Sequence, residues 1–188
     1  MGALAEVLFD ARDFPASRAA INEALAVDPR GVYANRVAGN LDFVEERWAD
    51  AVARFRYVAS SDPDRDQAGY GQLMLWLSQK RAGMRDPTFV ERRAGDNWPQ
   101  PLLLYMSGNY SETELVEKIR EGDFQYESAG GANTDERLCE ALYYVGQAHW
   151  ARGNPDIARR YFASLVNLRV TYYLEHGLAL AEIAKLNR

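Results

Sequence analysis

Only one cysteine, Cys139, occurs in the 188 residues, so no internal disulfide can form. That excludes a disulfide-stapled secreted scaffold, though not a disulfide-free periplasmic protein. No run of about 18 apolar residues is present, so nothing in the chain reads as a bilayer-spanning helix. The opening stretch MGALAEVLFD lacks the basic region, long apolar stretch and cleavage site of a signal peptide. Two expectations follow: a natively cytoplasmic chain, or one whose targeting segment has been removed. Lysine is scarce, and the formal net charge is -5. An acidic chain with scattered Arg has no concentrated basic face for nucleic acid or an anionic membrane. The pairs Arg92-Arg93 and Arg159-Arg160 read as solvated helix faces.

The chemistry-bearing groups are equally sparse. Histidine occurs only as His149 and His176. Cys139 and His149 fall on one expected helix; at about 1.5 Å rise per residue they lie roughly 15 Å apart along its axis. They cannot form a nucleophile–base pair. His149 reads as a core or edge residue, His176 as a packing or capping one. Three or four convergent zinc ligands are absent. The acidic clusters Glu45-Glu46 and Asp62/Asp64/Asp66 lack the glycine and distal Glu of a Ca²⁺ loop. No catalytic, metal or cofactor residue is assigned, and the chain is expected not to be an enzyme.

What the sequence has instead is a repeat. Apolar residues make up 47% of it, enough for a real core. Pro29 and Pro63, each in an Asp-Pro, are 34 residues apart. In that register Phe14 falls on Trp48, Ser17 on Ala51, Ile21 on Phe55 and Ala24 on Val58. A third copy places Pro155, Ala158, Phe162 and Leu165 at the same points, while Gly39 and Gly146 share a position on the preceding helix. Apolar spacings of three and four mark one helix face. Small residues permit two antiparallel helices to approach closely, large ones fill the gap to the next pair, and Pro ends the second helix. Such a pair buries its apolar face only by stacking on neighbours.

The order Gly, Trp or Phe, Ala, Phe and Asp-Pro resembles the tetratricopeptide repeat (TPR). The resemblance implies an all-α fold: an α-solenoid of TPR helix–turn–helix repeats in a single superhelical domain over 1–188. Its repeats are expected at about 1–30 and 31–64, a degenerate middle at 65–121, a late repeat at 139–170 with Val170 in place of Pro, and a capping helix at 171–186. Within the middle, DQAGYGQLMLWLSQKRAG reads as a helix ending near Gly83. DPTFVERRAGDNWPQ reads as a short helix and a loop. PQPLLLYMSG reads as a helix ending at Gly108. Ser111 and Glu114 form a capping box that opens another helix. The longest expected loop is GDFQYESAGGANTDE, most flexible at Gly130-Gly131.

A narrower resemblance covers nearly the whole chain. The ordered segments SDPDRDQAGYGQLMLWLSQKRAG, NWPQPLLLYMSGNYSETELVEKIR, ALYYVGQAHWARGNPDIARRYFASLV and YYLEHGLALAEI are similar to NlpI-type TPR lipoproteins of bacteria. That resemblance implies an adaptor at the inner face of the outer membrane that holds peptidoglycan hydrolases and a C-terminal-processing protease, and often dimerises. The family's lipid-bearing cysteine has no counterpart here, since Cys139 lies deep in a helical repeat, so any membrane attachment is expected only through an anchor outside this chain. The function expected is a non-catalytic protein-interaction scaffold, periplasmic or outer-membrane-associated. The alternatives are a cytoplasmic TPR module of a larger assembly or secretion complex, and the TPR portion of an enzyme.

The TPR register also assigns a surface. First helices line the inner face of such a solenoid. Repeat two would present Tyr33, Arg36, Asn40 and Phe43 there, and the late repeat Tyr143, Gln147 and Trp150. Arg36 and Asn40, four apart on one face, resemble half of the signature that clamps a peptide's terminal carboxylate. Gly71 and Met74 stand where the rest of the clamp would be, so a complete clamp is not expected. Trp76, Trp98 and Tyr105 read as core.

Overall fold

The computed structural model describes residues 2–85, 87, 98–121, 134–171 and 173–187. The described residues form ten α-helices and no strand. Contacts group the chain into two compact units, Met1–Arg92 and Arg93–Arg188. The expected short helix and loop after Asp86, and the expected long loop with Gly130-Gly131, lie largely outside the described residues.

The first unit contains α1 (Gly2–Asp10), α2 (Phe14–Val27), α3 (Val32–Val44), α4 (Trp48–Ser61) and α5 (Arg65–Arg81). Its helices pair through one recurring turn. Arg12 and Glu46 adopt φ of 60° and 62°. Their N–H groups reach back to the carbonyls of Phe9 and Phe43, and the following N–H groups, of Asp13 and Arg47, reach Leu8 and Asp42. This six-to-one, five-to-two pattern satisfies the last carbonyls of the first helix and sends the chain back antiparallel. It recurs after α5, where Gly83 at φ 81° bonds Lys80 and Met84 bonds Gln79. The second helices stop differently. Asp28 and Asp62 are extended, with ψ of 91° and 122°, because Pro29 and Pro63 bar the helical conformation from the residue before them.

The second unit contains α6 (Gln100–Met106), α7 (Glu112–Glu121), α8 (Thr134–Ala151), α9 (Pro155–Asn167) and α10 (Leu174–Leu186). The same turn joins α6 to α7 through Gly108 and α8 to α9 through Gly153. Ser111 and Glu114 make the capping box: the Ser111 N–H donates to the Glu114 carboxylate at 2.6 Å, and the Glu114 N–H to Ser111 Oγ at 3.2 Å. α8 begins at Thr134, before the expected start of the late repeat at 139, with Asp135 and Glu136 suiting its positive end. Where the late repeat lacks Pro, Arg169 ends α9 in the left-handed region at φ 58°.

The helix pairs pack as their small and large residues dictate. Ser17, Ala51 and Ala158 are fully buried, as are Ile21, Phe162 and, to within 1%, Phe55. A Cβ on Gly39 would stand 2.9 Å from Phe55 Cζ, and one on Gly146 would stand 2.7 Å from Phe162 Cε1. Both contacts pair a glycine with the phenylalanine 16 residues on. In the first pair Ser17 Oγ instead donates to the Ala5 carbonyl at 2.6 Å, and Ala5 is the register equivalent of Gly39. Thus one pairing geometry appears in both units.

Candidate functional site

In the first unit, side chains on first helices join one pair to the next. Tyr33, on α3, donates its hydroxyl to Glu6 of α1. Burial and the Glu6 carboxylate both push the Tyr33 phenol upward. Arg36 lies 5.1 Å from the Tyr33 ring and donates to the Gln67 side-chain oxygen of α5. Tyr33 remains 36% exposed and Arg36 partly so. These two, with Glu6 and Gln67, form a polar cluster that combines donors, an aromatic ring and an acceptor.

The other assigned residues fare differently. Asn40 is nearly enclosed, at 9%. Phe43 has no exposed surface. It meets Trp48 edge-on at 5.3 Å. The reason is the tight turn: the last turn of α3 is covered by the first residue of α4. Tyr143 and Gln147 are likewise fully buried, with the Gln147 amide donating to the Tyr143 hydroxyl at 3.0 Å. Gly146 draws α9 close and brings the Phe162 ring to 6.0 Å from Tyr143. Phe43, Tyr143 and Gln147 are therefore core residues rather than the partner-facing ones that the repeat register suggested. Trp150 keeps partial exposure, with its edge against Phe162. Gly71 is not on a clamp surface: a Cβ there would stand 3.0 Å from the Ala59 nitrogen, so it marks the close approach of α5 to α4. Met74, Trp76, Trp98 and Tyr105 are buried.

Sequence reasoning missed two junctions. In the first unit Asp42 is wholly buried on α3, 2.8 Å from Arg18 Nη2 of α2 and 2.7 Å from Arg54 Nε of α4. Arg54 also donates to Asn35, whose amide donates to the Pro29 and Gly31 carbonyls. One carboxylate thus ties three helices and their connection. In the second unit the register equivalents of Asp42 and Arg54 are His149 and Tyr161. Here the carboxylate comes from α7: Glu112 accepts from Tyr161 and stands 3.2 Å from His149 Nε2. The His149 and Tyr161 rings stack, 5.5 Å apart and 11° from parallel. The sequence signal was an Asp directly between Leu41 and Phe43 in the last turn of α3.

Further buried groups in the second unit serve packing. Trp98 donates its indole N–H to Glu140 on α8, and Glu175 at the start of α10 is buried beside it. Desolvation, then the Glu140 charge, pushes the Glu175 carboxyl up to about 8. Burial and the neighbouring carboxylates push the Cys139 thiol up to about 12, which favours the protonated thiol near neutrality. His176, at 9% exposure, is a packing residue. Among the described residues no group of acidic, His or Cys side chains could hold a metal ion, and no helix is long and apolar enough to cross a membrane. No family model matches the chain.

A pH dependence follows from Glu175. Its carboxyl is protonated more readily in the folded than in the unfolded chain. The stability this gives is fully present below the unfolded value near 4.5 and is lost as pH rises through about 8. Glu175→Gln should therefore raise the melting temperature at pH 8.5 more than at pH 6. A gap between variant and parent that is the same at both pH values would refute it.

Proposed function

We propose that the chain is a TPR-type protein-interaction scaffold without chemistry of its own, of the NlpI-like cell-envelope kind, which recruits peptidoglycan hydrolases or a processing protease. The observation that carries this reading is the recurrence, in both units, of one helix pair with one turn geometry and one Gly–Phe contact. Stacked pairs of this kind present side chains between fixed helices and need no catalytic group. Tyr33 and Arg36 are the side chains that offer partner contacts in the first unit. An exposed aromatic beside a guanidinium is a common anchor at interfaces. In this reading the protein works in the periplasm, and any lipid anchor lies outside the chain.

The test is direct. Partners captured on the purified chain from a bacterial envelope extract are identified by mass spectrometry, purified and titrated. Tyr33→Ala with Arg36→Ala should weaken such a partner at least about tenfold, a loss of about 1.4 kcal/mol, while the helical circular dichroism spectrum stays unchanged. Unaltered affinity would move the site elsewhere, and turnover by the isolated chain would sink the scaffold reading.

A further inference from the structure

The outward face of α1 is open and largely apolar. At 100° per residue, Glu6, Asp10, Ala3, Val7, Ala11 and Leu4 follow one another around one arc of the α1 surface. Ala5 and Phe9 point the opposite way, into the core. Leu4 is 51% and Val7 64% exposed. Moved one repeat along, Ala3, Leu4 and Val7 become Val37, Ala38 and Leu41 of α3. Those three are sealed, at 3%, 0% and 0% exposure, within a helix that packs against α1, α2 and α4. The positions that close the stack at α3 are open at α1, so the face has the shape and apolarity to take a helix.

The flanking charges say which helix. Glu6 and Asp10 stand four apart, hence side by side on α1. Among the described residues neither is in an ion pair, and Glu6 meets only the Tyr33 hydroxyl. Burial, then the Glu6 charge, raises the Asp10 carboxyl. Two like carboxylates at this spacing repel, and a cation between them would relieve that repulsion. α1 itself contains no Lys or Arg, so a twofold contact of α1 with a second copy would set acid against acid.

We propose that this face of α1, with Ala3 and Val7 at its centre, Leu4 along one edge and Glu6 and Asp10 along the other, docks a basic amphipathic helix of a partner protein. The assignment rests on the scaffold reading and names a second partner surface for it, adjoining the first at Glu6. Apolar side chains of the incoming helix at i, i+3 and i+7 would cover Leu4 and Val7, and Lys or Arg on its flank would meet the two carboxylates. The like-charged edge would reject an acidic helix.

Fluorescence anisotropy of the full chain tests this. The probe is a labelled amphipathic peptide of Leu and Lys, about 15 residues long so that it forms a helix, and the control has every Lys replaced by Glu. The Lys peptide should bind saturably, and the Glu peptide should not. Leu4→Ser with Val7→Ser should weaken binding at least about tenfold. Glu6→Gln with Asp10→Asn should weaken it and flatten its salt dependence. Glu23→Gln, an exposed carboxylate change on α2, should leave it unaltered. Equal binding by all variants, or no binding, would overturn the proposal. So would a chain that runs as a dimer and is made monomeric by Leu4→Ser with Val7→Ser, since the face would then belong to a second copy. A failed titration, alongside an envelope partner that still needs Tyr33 and Arg36, would leave the scaffold reading standing.

Discussion

Asp42→Ala is expected to lower the unfolding free energy by about 3 kcal/mol. The Asp42 carboxylate has no exposed surface, while the side chains of its partners Arg18 and Arg54 retain 17% and 26% exposure. Removing the anion leaves the Arg18 and Arg54 guanidinium groups, and that of Arg47 at 3.6 Å from the same carboxylate, close together at the junction of α2, α3 and α4, with their shared counter-charge gone. Because the arginines keep some water and Arg18 keeps Glu45 at 2.7 Å, the cost belongs at the low end for a broken buried pair. Replacing all three together, Asp42→Leu with Arg18→Met and Arg54→Met, should recover most of the loss, because no buried charge then remains unpaired. Urea denaturation of the single and triple variants measures both. A single variant within about 0.5 kcal/mol of the parent would show that the junction contributes nothing.

Gly146→Val should cost a comparable amount, about 3 kcal/mol. A Cβ at this position would meet not only Phe162 Cε1 at 2.7 Å but also Tyr161 Cβ at 3.1 Å. The Tyr161 Cβ is fixed to its own backbone, and the Phe162 ring is fully buried, so neither neighbour can move aside. A gain of up to about 1 kcal/mol from replacing a helical glycine opposes this but does not cancel it, and the branched valine adds two more carbons to the clash. Phe162→Ala alone should cost about 3–5 kcal/mol through the void it leaves. Combining the two should cost less than their sum, because the valine enters space the ring vacates. Additive losses in the double-mutant cycle would mean that the glycine does not set this approach.

The same pairing explains which parts of the fold could be read directly. The register Gly39–Phe55 and Gly146–Phe162 is a short-range consequence of two helices joined by a three-residue turn, so residue size at fixed spacing reports it. Helix ends were also readable where one residue imposes its own conformation: Pro29 and Pro63 after α2 and α4, Gly83 and Gly108 in the turns, Ser111 with Glu114 before α7. Arg12, Glu46 and Arg169 take the same left-handed conformation without glycine, and composition gives no warning of that.

The surface was less legible. Helical register places Tyr33, Arg36, Asn40 and Phe43 near one face, but it does not say how far along α3 that face stays open. Trp48 closes it over Phe43, and the inward pull at Gly146 closes it over Tyr143 and Gln147. The junction at Asp42 was hidden for a related reason. Arg18, Asp42 and Arg54 are far apart in the chain, and an Asp on a helix is ordinarily solvated.

By itself, the sequence determined the all-α character, the helix pairs and their 34-residue register, because these follow from side-chain size and local backbone preference. Only the tertiary structure decided which polar groups are paired or buried: Asp42 among three arginines, Glu112 between His149 and Tyr161, Glu175 beside Glu140, with Leu4 and Val7 left uncovered. The energy of a charge or an apolar side chain depends on what lies within a few ångströms of it. That neighbourhood is set by chain segments tens of residues away, which no local pattern encodes.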